Sequence, residues 1–429
     1  MKQGIRQAIK TPAIGRSAIL LILIWLLWAV GILGFQAIVS SRLAMILPDR
    51  VLFWTESAAE QQSPYLRESF LPAQTGWDSE YYLSIAQKGY DDPQIRTIPA
   101  QPNTPPALNR PLPLNYAFFP VYPHLMRWLG RSLMLLGMPL NDAVPLAGVM
   151  ISLLGTLAGC FALYDLARST LGAAGAMRSV FYLLIFPTSF FLAQVYTEGL
   201  FIGLAFGSLA LTRRKHWALA SLLATIATLT RAVGVLLVIP LLWEWGQTVK
   251  PWQILSKPSG RFDRRQILQI ISTGILLLAP AIAHLLWRFS FWGRAFQLVQ
   301  TNFFRCEFLA IGRSCAAWGQ AFLNLWGNNS QTSAYYAIEL ILIGLGLTAC
   351  MSLLRRDSSI ALFSAAVILI SITCGLTWSL SRYLLTVPAL FLMLGNWSEN
   401  AWFDRLWTVM SALLLALLTI VFTLGGWAG

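Results

Sequence analysis

The sequence is poor in charged side chains and in residues that bind metal ions. Asp, Glu, Lys and Arg make up only 11% of its 429 residues, whereas soluble globular domains carry about 25%, so the soluble classes are excluded. The three histidines are scattered at positions 124, 216 and 284 and form no zinc motif. A glycine-rich phosphate loop after a strand is also missing, which leaves nucleotide binding without support.

Long uncharged runs are what the sequence has instead. Hydrophobic residues account for 56% of the chain, and the net charge of +13 comes from charges that cluster between the apolar runs, so no nucleic-acid partner is expected. The clearest runs are 17–41, 143–164, 266–287 and 406–429. Each exceeds the roughly 20 residues that a helix needs to cross a bilayer. The sequence therefore predicts an all-α, polytopic membrane protein, with its first run retained as a signal anchor.

Three further apolar stretches each contain one charge near the middle. They are 179–212 around Glu198, 217–243 around Arg231, and 358–398 around Arg382. The first and third are long enough for two crossings. The second fits one tilted helix or two short ones, and the basic clusters at 213–215 and 250–265 favour a hairpin, because basic segments stay in the cytoplasm. The expected total is about eleven membrane helices, with the N-terminus inside and the C-terminus outside.

Two long segments then fall on the outer face of a single integral-membrane domain, 1–429. Residues 42–141 are expected to form a catalytic loop region with short helices, and residues 288–339 a second outer loop region. Cys306 and Cys315 both belong to the second region and could form a disulfide in an oxidising compartment. The partners expected from this arrangement are membrane lipids and a substrate at the outer face.

The most unusual stretch of the first outer region begins at Trp77. Asp78 and Glu80 follow it, and the neighbouring tyrosines offer flat faces for a sugar ring or for the lipid–water interface. Because the two acids are two positions apart, they cannot share one face of a regular helix. One could act on a substrate while the other orients it or binds a cation. The alternative is an interfacial amphipathic helix whose acids face water.

Ionisable groups in the hairpins form a second set of candidates. Glu198 lies two positions after Tyr196, Arg231 comes directly after a threonine, and Arg382 comes directly before a tyrosine. Such groups at membrane depth are costly and are functional hypotheses by default. The alternative is that Glu198 pairs with Arg231 or Arg382 and only ties the helix tips together. An aromatic and proline-rich cluster at 115–124 adds His124 as a weaker candidate.

Five motifs in this order resemble those of the PIG-V family of mannosyltransferases, a branch of the GT-C integral-membrane glycosyltransferases. The motifs are W-D-x-E-Y-Y-L-x-I-A-x-x-G-Y from 77, N-Y-A-F-F-P-x-Y-P from 115, Y-T-E-x-L-F from 196, T-R-x-x-G from 230 and S-R-Y from 381. The resemblance extends over 77–388. Its first two motifs are the most specific, and the others gain weight from their order.

The resemblance implies an enzyme that takes a hexose, mannose in the family, from a polyprenyl or dolichyl phosphate. An acceptor hydroxyl on a glycan, lipid or protein would attack the anomeric carbon in one inverting step, with Asp78 as general base and Glu80 as a supporting acid. The residues implied for the donor's sugar and phosphate are Arg231, Arg382, Glu198, Trp77, Tyr196 and His124. No cofactor is expected, and a divalent metal is not excluded.

Two other functions stay open at this point. A transporter or flippase of lipid-linked sugars would place charges near the bilayer midplane and would need no outer carboxylate, and a noncatalytic subunit would leave Asp78 dispensable. The short cytoplasmic turns favour a bacterial plasma membrane over the endoplasmic reticulum.

Overall fold

The computed structural model describes residues 13–43, 64–67, 70–102, 104–250 and 264–429. From the N-terminus the helices are α1 Ala13–Arg42, α2 Pro64–Arg67, α3 Ser79–Gln87, α4 Val121–Leu135, α5 Leu140–Leu184, α6 Glu198–Arg213, α7 Trp217–Thr228 and α8 Val238–Val249. They continue with α9 Arg264–Leu277, α10 Ala279–Phe289, α11 Phe291–Val299, α12 Ile311–Asn324, α13 Ser330–Leu353, α14 Ser358–Ile372, α15 Leu380–Tyr383, α16 Pro388–Trp397 and α17 Ala401–Thr423.

Short irregular turns separate several of these helices. They lie at Pro72–Gln74, Leu114–Ala117, Ser189–Ala193, Ala232–Leu237, Gln300–Phe304 and Leu384–Thr386. The strands of the described segments are β1 Thr97–Ile98 and β2 Leu112–Pro113, which pair antiparallel. The expected all-α fold is therefore confirmed, with short helices in the first outer region as predicted. The boundaries of the two outer regions stay predictions, and residues 44–63 of the first lie outside the described part.

The chain is an integral membrane protein with several apolar helices. By length and composition, five helices of the described segments could cross a membrane, or up to six if the bent pair Ile267–Leu277 and Ala279–Phe289 forms one span. The five are Gly15–Arg42, Leu140–Leu184, Ala232–Val249, Ser330–Leu353 and Ala401–Thr423. The bend of 47° falls next to Pro280, which lacks the amide hydrogen that a continuous helix needs.

The predicted hairpins are present, but their helices are short. The chain leaves regular helix just before Glu198, at Arg231 and around Arg382, as the single charges in these stretches predicted. The helices on either side, such as α7 and α16, have only 12 and 10 residues. A separate break occurs inside α5, where Gly172 has a φ of 68° and the helix changes direction. Five or six segments in the described ranges qualify as spans by length and composition, so the expected number of eleven passages stays a prediction.

The ends of the hairpin helices opposite these turns are basic and contact one another. Arg213 at the end of α6 forms an ion pair with Asp357, which caps α14. Arg214 forms another with Asp165 of α5, at 2.5 Å between Nη2 and Oδ1. The basic turns therefore gather at one end of the bundle, as expected for the cytoplasmic side. Residues 251–263 of the second basic cluster lie outside the described part.

Close packing fixes the start of α6 against α5. A Cβ atom added to Gly155 of α5 would lie 2.6 Å from the carbonyl oxygen of Gly199. Only glycine allows this backbone approach, which is the way membrane helices pack closely. Since Glu198 precedes Gly199, the contact determines where the buried acid at the tip of the hairpin stands.

The first two sequence motifs are joined by a buried asparagine. Asn115, which is fully buried, donates through Nδ2 to Ser84 Oγ at 2.8 Å and to the carbonyl oxygen of Gly89 at 3.2 Å. Ser84 Oγ in turn donates to Asp92 Oδ2 at 2.8 Å. Gly89 has a φ of 100°, where a side chain would be strained. This network fixes α3, and with it the acids at its N-terminus.

The disulfide considered between Cys306 and Cys315 is not formed. Both residues are free thiols, and Cys315 is exposed on α12. Cys306 lies instead near Cys374, because the amide of Glu307, the next residue in the chain, donates to the carbonyl oxygen of Cys374 at 2.9 Å. The prediction failed because Cys315 lies on α12 and Cys306 precedes that helix, so a separation of nine positions in sequence does not bring the two thiols together.

Candidate functional site

A cavity of about 1730 Å³ opens where the hairpin turns meet the outer regions. Its wall includes the start of α3, the three hairpin turns, the chain between α10 and α12, and the segment after α17. Of the predicted site residues, those that line it are Trp77, Asp78, Glu80, Tyr196, Glu198, Arg231 and Arg382. Residues up to 305 positions apart in sequence thus share one cavity.

Four of these side chains form a continuous chain of opposite charges. Asp78 Oδ2 lies 3.2 Å from Arg382 Nη1, Arg382 Nε lies 3.4 Å from Glu198 Oε1, and the same Glu198 oxygen lies 2.5 Å from Arg231 Nη1. The pairing of Glu198 with both arginines, one of the two alternatives for these groups, is therefore present. We call Asp78, Arg382, Glu198 and Arg231 the charge chain. Its formal charges sum to zero.

The backbone around Asp78 is fixed by Tyr196. The amide of Asp78 donates to Tyr196 Oη at 3.2 Å, and the Tyr196 hydroxyl donates to the carbonyl oxygen of Gly76 at 3.0 Å. Asp78 is the residue before α3, and Trp77 has a φ of 53°, which is rare for a residue with a side chain. Such strain is typical of functional sites. Because Asp78 precedes the helix, it and Glu80 can both line the cavity.

Trp77 is held by a segment that the sequence did not mark as part of the site. Its Nε1 donates to the carbonyl oxygen of Gly426 at 3.3 Å, and its ring meets that of Trp427 edge to face at 5.2 Å. The chain after α17 therefore forms part of the cavity wall. The sequence around Gly426 and Trp427 did not indicate this role, because it resembles the end of any apolar segment.

Aromatic rings enclose the guanidinium of Arg382. Its central carbon lies 5.2 to 5.4 Å from the ring centroids of Phe191, Tyr196, Tyr383 and Trp427. Arg382 is 6% exposed, and cation–π contacts of this kind offset part of the cost of removing a charge from water. The side chain consequently has one orientation, with Nη1 directed at Asp78.

Glu339 of α13 positions the turn that carries Arg382. It is 1% exposed and accepts hydrogen bonds from the amide of Ser381 at 2.8 Å and from the Ser381 hydroxyl at 2.9 Å. Sequence reasoning treated Glu339 as the end of the second outer region and missed this role. The available signal was a lone acid in an otherwise apolar run, the same signal that identified Glu198.

Oxygen atoms of the two acids in the charge chain remain available. Glu198 is fully buried, and its Oε2 has no hydrogen-bond partner among the described residues. Burial raises the pKa of Asp78 above its ordinary value, while the neighbouring Arg382 opposes the rise. A carboxylate with a raised pKa is a better proton acceptor than an ordinary aspartate. The arrangement can therefore accept a proton at Asp78 and a hydroxyl hydrogen bond at Glu198.

The remaining candidates differ in position. Glu80 lines the cavity in the first turn of α3, and Tyr81 stacks on Phe118 with ring centroids 4.8 Å apart in the same wall. His124, in contrast, is exposed on α4, and its Nδ1 lies 2.6 Å from the carbonyl oxygen of Pro120. It does not line the cavity, so the geometry gives no support to its inclusion among the donor-binding residues, which stays a prediction. The amphipathic α4 buries Tyr122 and turns His124 outward.

Acidic side chains such as those of the cavity are also common ligands of divalent metal ions. Within the described ranges, no group of three or more His, Cys, Asp and Glu side chains is placed to hold a metal ion. The acids of the charge chain are instead bound by arginine.

No protein-family model and no curated protein matches the sequence. The structure is similar to that of the apo oligosaccharyltransferase of Archaeoglobus fulgidus, with a TM-score of 0.44 and 12% identity over 94% of this chain and 56% of that one. The oligosaccharyltransferase AglB of the same organism, in complex with an inhibitory peptide and a dolichol-phosphate, aligns with a TM-score of 0.42 and 12% identity over 93% and 55%. This chain spans about half the length of those structures. Similarity at this level assigns neither a family nor an activity.

Proposed function

We propose that the chain is a membrane glycosyltransferase that moves a hexose from a polyprenyl or dolichyl phosphate to an acceptor hydroxyl. The observation that carries the proposal is the charge chain. Three of its members come from three different hairpin turns, and the fourth, Asp78, comes from the first outer region. Residues that belong to four separate motifs of the PIG-V resemblance thus meet in one large cavity, where each lies within 3.4 Å of the next in the charge chain.

The proposed reaction is a single inverting displacement. The acceptor oxygen forms a bond to the anomeric carbon as the bond from that carbon to the phosphate oxygen breaks. Asp78 accepts the acceptor's proton, and the lipid phosphate leaves with the electron pair. Arg382 orients the Asp78 carboxylate through the 3.2 Å contact, Glu80 is a supporting acid, and the free Oε2 of Glu198 is placed to accept a sugar hydroxyl.

The contacts of Arg231 and Arg382 favour a different main role from the phosphate binding that the resemblance implied. Each already contacts a carboxylate, so neither brings an unbalanced charge to a donor phosphate. Removing one partner from such a buried pair typically costs about 3–5 kcal/mol. We therefore assign Arg231 and Arg382 primarily to orienting Glu198 and Asp78, and look for the phosphate contact elsewhere in the cavity.

The resemblance supports the choice of the transferred sugar, and the sequence supports the choice of the membrane. We take mannose as the transferred hexose, since the PIG-V family transfers mannose, and a bacterial plasma membrane as the location, since the cytoplasmic turns are short. The acceptor can be a glycan, a lipid or a protein.

Replacing Asp78 with asparagine tests the proposal. Asp78→Asn keeps the volume and removes the base, so transfer from mannosyl-phosphoryl polyprenol should be lost. The unfolding temperature should fall, but the protein should stay folded, because Arg382 keeps Glu198 as a carboxylate neighbour. Asp91→Asn is the matched control, because Asp91 belongs to the same region but is exposed and pairs with Arg110 away from the charge chain. Transfer is followed by mass spectrometry with membrane lipid extract as acceptor.

Near-wild-type transfer by Asp78→Asn would refute the assignment of the base. Movement of the lipid-linked sugar across a vesicle membrane with its sugar–phosphate bond intact would instead favour the transporter alternative.

A further inference from the structure

The arginines that line the cavity differ in their partners. Arg231 and Arg382 belong to the charge chain, and Arg96 packs its guanidinium over Phe303 at 4.9 Å. Arg288, at the end of α10, has no carboxylate within ion-pair distance in the described part of the chain. Its guanidinium is exposed and lines the same cavity. Its charge is therefore the one that an anionic ligand can balance most directly.

An amide holds this guanidinium in place. When the side-chain amide of Gln297 on α11 is oriented to satisfy its hydrogen bonds, its oxygen accepts from both terminal nitrogens of Arg288. A neutral acceptor fixes the orientation of the guanidinium without cancelling its charge. The remaining N–H directions stay available to a ligand, which for arginine favours the paired oxygens of a phosphate or carboxylate.

His284 is placed beside Arg288 with an unused ring nitrogen. It precedes Arg288 by four residues on α10, so both side chains lie on one face of that helix, and both line the cavity. The Nδ1 atom of His284 is enclosed and has no hydrogen-bond partner in the described segments. A buried polar atom without a partner is costly. Because no hydrogen bond at Nδ1 fixes the ring, a turn of the ring would present a nitrogen to a ligand in the cavity that His284 lines.

The neighbouring wall is apolar. Val233, Leu236 and Leu285 line the cavity next to this face of α10. α10 is also the second half of the bent pair that could form a membrane span. A ligand that fits both features has an anionic head with two or more acceptor oxygens and a long hydrocarbon chain.

We propose that Arg288, His284 and Gln297 form the phosphate subsite for the polyprenyl phosphate of the donor. The inference rests on the proposed function and deepens it. The phosphate lies at α10, the prenyl chain follows Val233 and Leu236, and the sugar extends across the cavity toward Asp78. This arrangement leaves the charge chain free to orient the acids, and it gives a role to a cavity arginine whose side-chain partner in the described ranges is an amide.

Lipid binding by the purified full-length protein tests the subsite. Native mass spectrometry would titrate wild type and Arg288→Gln with polyprenyl phosphate and, separately, with phosphatidylglycerol, an ordinary bilayer phosphate. Arg294→Gln is the matched control, because Arg294 is exposed on the adjacent α11 but does not line the cavity. Arg288→Gln should weaken polyprenyl phosphate binding about ten- to hundredfold, and Arg294→Gln should not change it.

The outcomes separate the subsite from the proposed function. If wild type binds polyprenyl phosphate tightly and Arg288→Gln binds it equally well, the subsite is wrong and the enzyme class stands. If wild type prefers phosphatidylglycerol, or binds neither lipid, the donor class itself fails. Equal loss of both lipids in Arg288→Gln would identify a general headgroup contact and overturn the proposal. Should Arg288→Gln not fold, His284→Leu carries the same test, since its Nδ1 has no protein partner to lose.

Discussion

Replacing Arg382 with glutamine tests how Asp78 is prepared to accept a proton. The guanidinium nitrogen lies 3.2 Å from the Asp78 carboxylate. At an effective dielectric constant of about 20, that distance corresponds to an attraction of about 5 kcal/mol. The Asp78 side chain is 23% exposed, so water screens part of this energy. An arginine beside an aspartate usually lowers its pKa by about 1–3 units.

The direction of the shift follows from the sign of each contribution. Burial disfavours the charged carboxylate and raises the pKa of Asp78, while Arg382 favours the charged form and holds that rise down. Arg382→Gln removes the lowering contribution, so the pKa of Asp78 should rise further. The acidic limb of the pH–rate profile should move to higher pH by the same amount, because only the ionised form accepts a proton.

The measurement does not require a substrate. Water-soluble carbodiimides react with protonated carboxyl groups, so the pH dependence of Asp78 modification, read by peptide mass spectrometry, reports its pKa. The exposed Glu399 serves as the internal reference. Arg382→Lys is the matched control, because it keeps the charge and loses the fixed guanidinium geometry, and its shift should be smaller. An unchanged midpoint for Asp78 in a folded Arg382→Gln protein would show that Arg382 does not lower the pKa of Asp78.

Three further predictions concern positioning, thiols and topology. Glu339→Gln should lower kcat about ten- to hundredfold with little change in KM for the donor, since it weakens charged hydrogen bonds that position the arginine turn; a rise in KM with kcat unchanged would contradict this. Mild oxidation should link Cys306 to Cys374, and a bridged peptide containing Cys315 instead would count against the structure. An impermeant reagent should label an engineered cysteine at Thr104 in intact cells, and labelling only after permeabilisation would reverse the topology.

Much of the fold could be predicted from the sequence because lipid imposes simple rules. Uncharged runs must form helices, and a single charge in a long apolar stretch marks the place where the helix ends, as at Glu198 and Arg382. The unequal helix lengths could not be predicted, since they depend on how the hairpin turns open around the cavity. The change of direction at Gly172 was missed for a related reason: glycine is frequent in membrane helices, and only its φ distinguishes this one.

The sequence could predict which residues form the site, but it could not predict which of them pair with one another. Asp78, Glu198, Arg231 and Arg382 stood out as charges in unusual surroundings, but Asp78 and Arg382 are 304 residues apart, and no local pattern encodes which acid meets which arginine. Arg288 was overlooked because it follows a long apolar run, where a basic residue ordinarily marks only the end of a membrane helix. What distinguishes it is the missing carboxylate partner, a property of the fold.

The chemical form of the sugar donor decides between a lipid-linked and a nucleotide-linked glycosyltransferase. Purified wild-type protein would receive the same isotope-labelled mannose in two forms, linked to polyprenyl phosphate or to a nucleotide, with membrane lipid extract as acceptor and mass spectrometry as the readout. We expect transfer from the lipid-linked form alone, and we expect Asp78→Asn to abolish that transfer. Transfer from the nucleotide sugar with no lipid-linked donor present would contradict it.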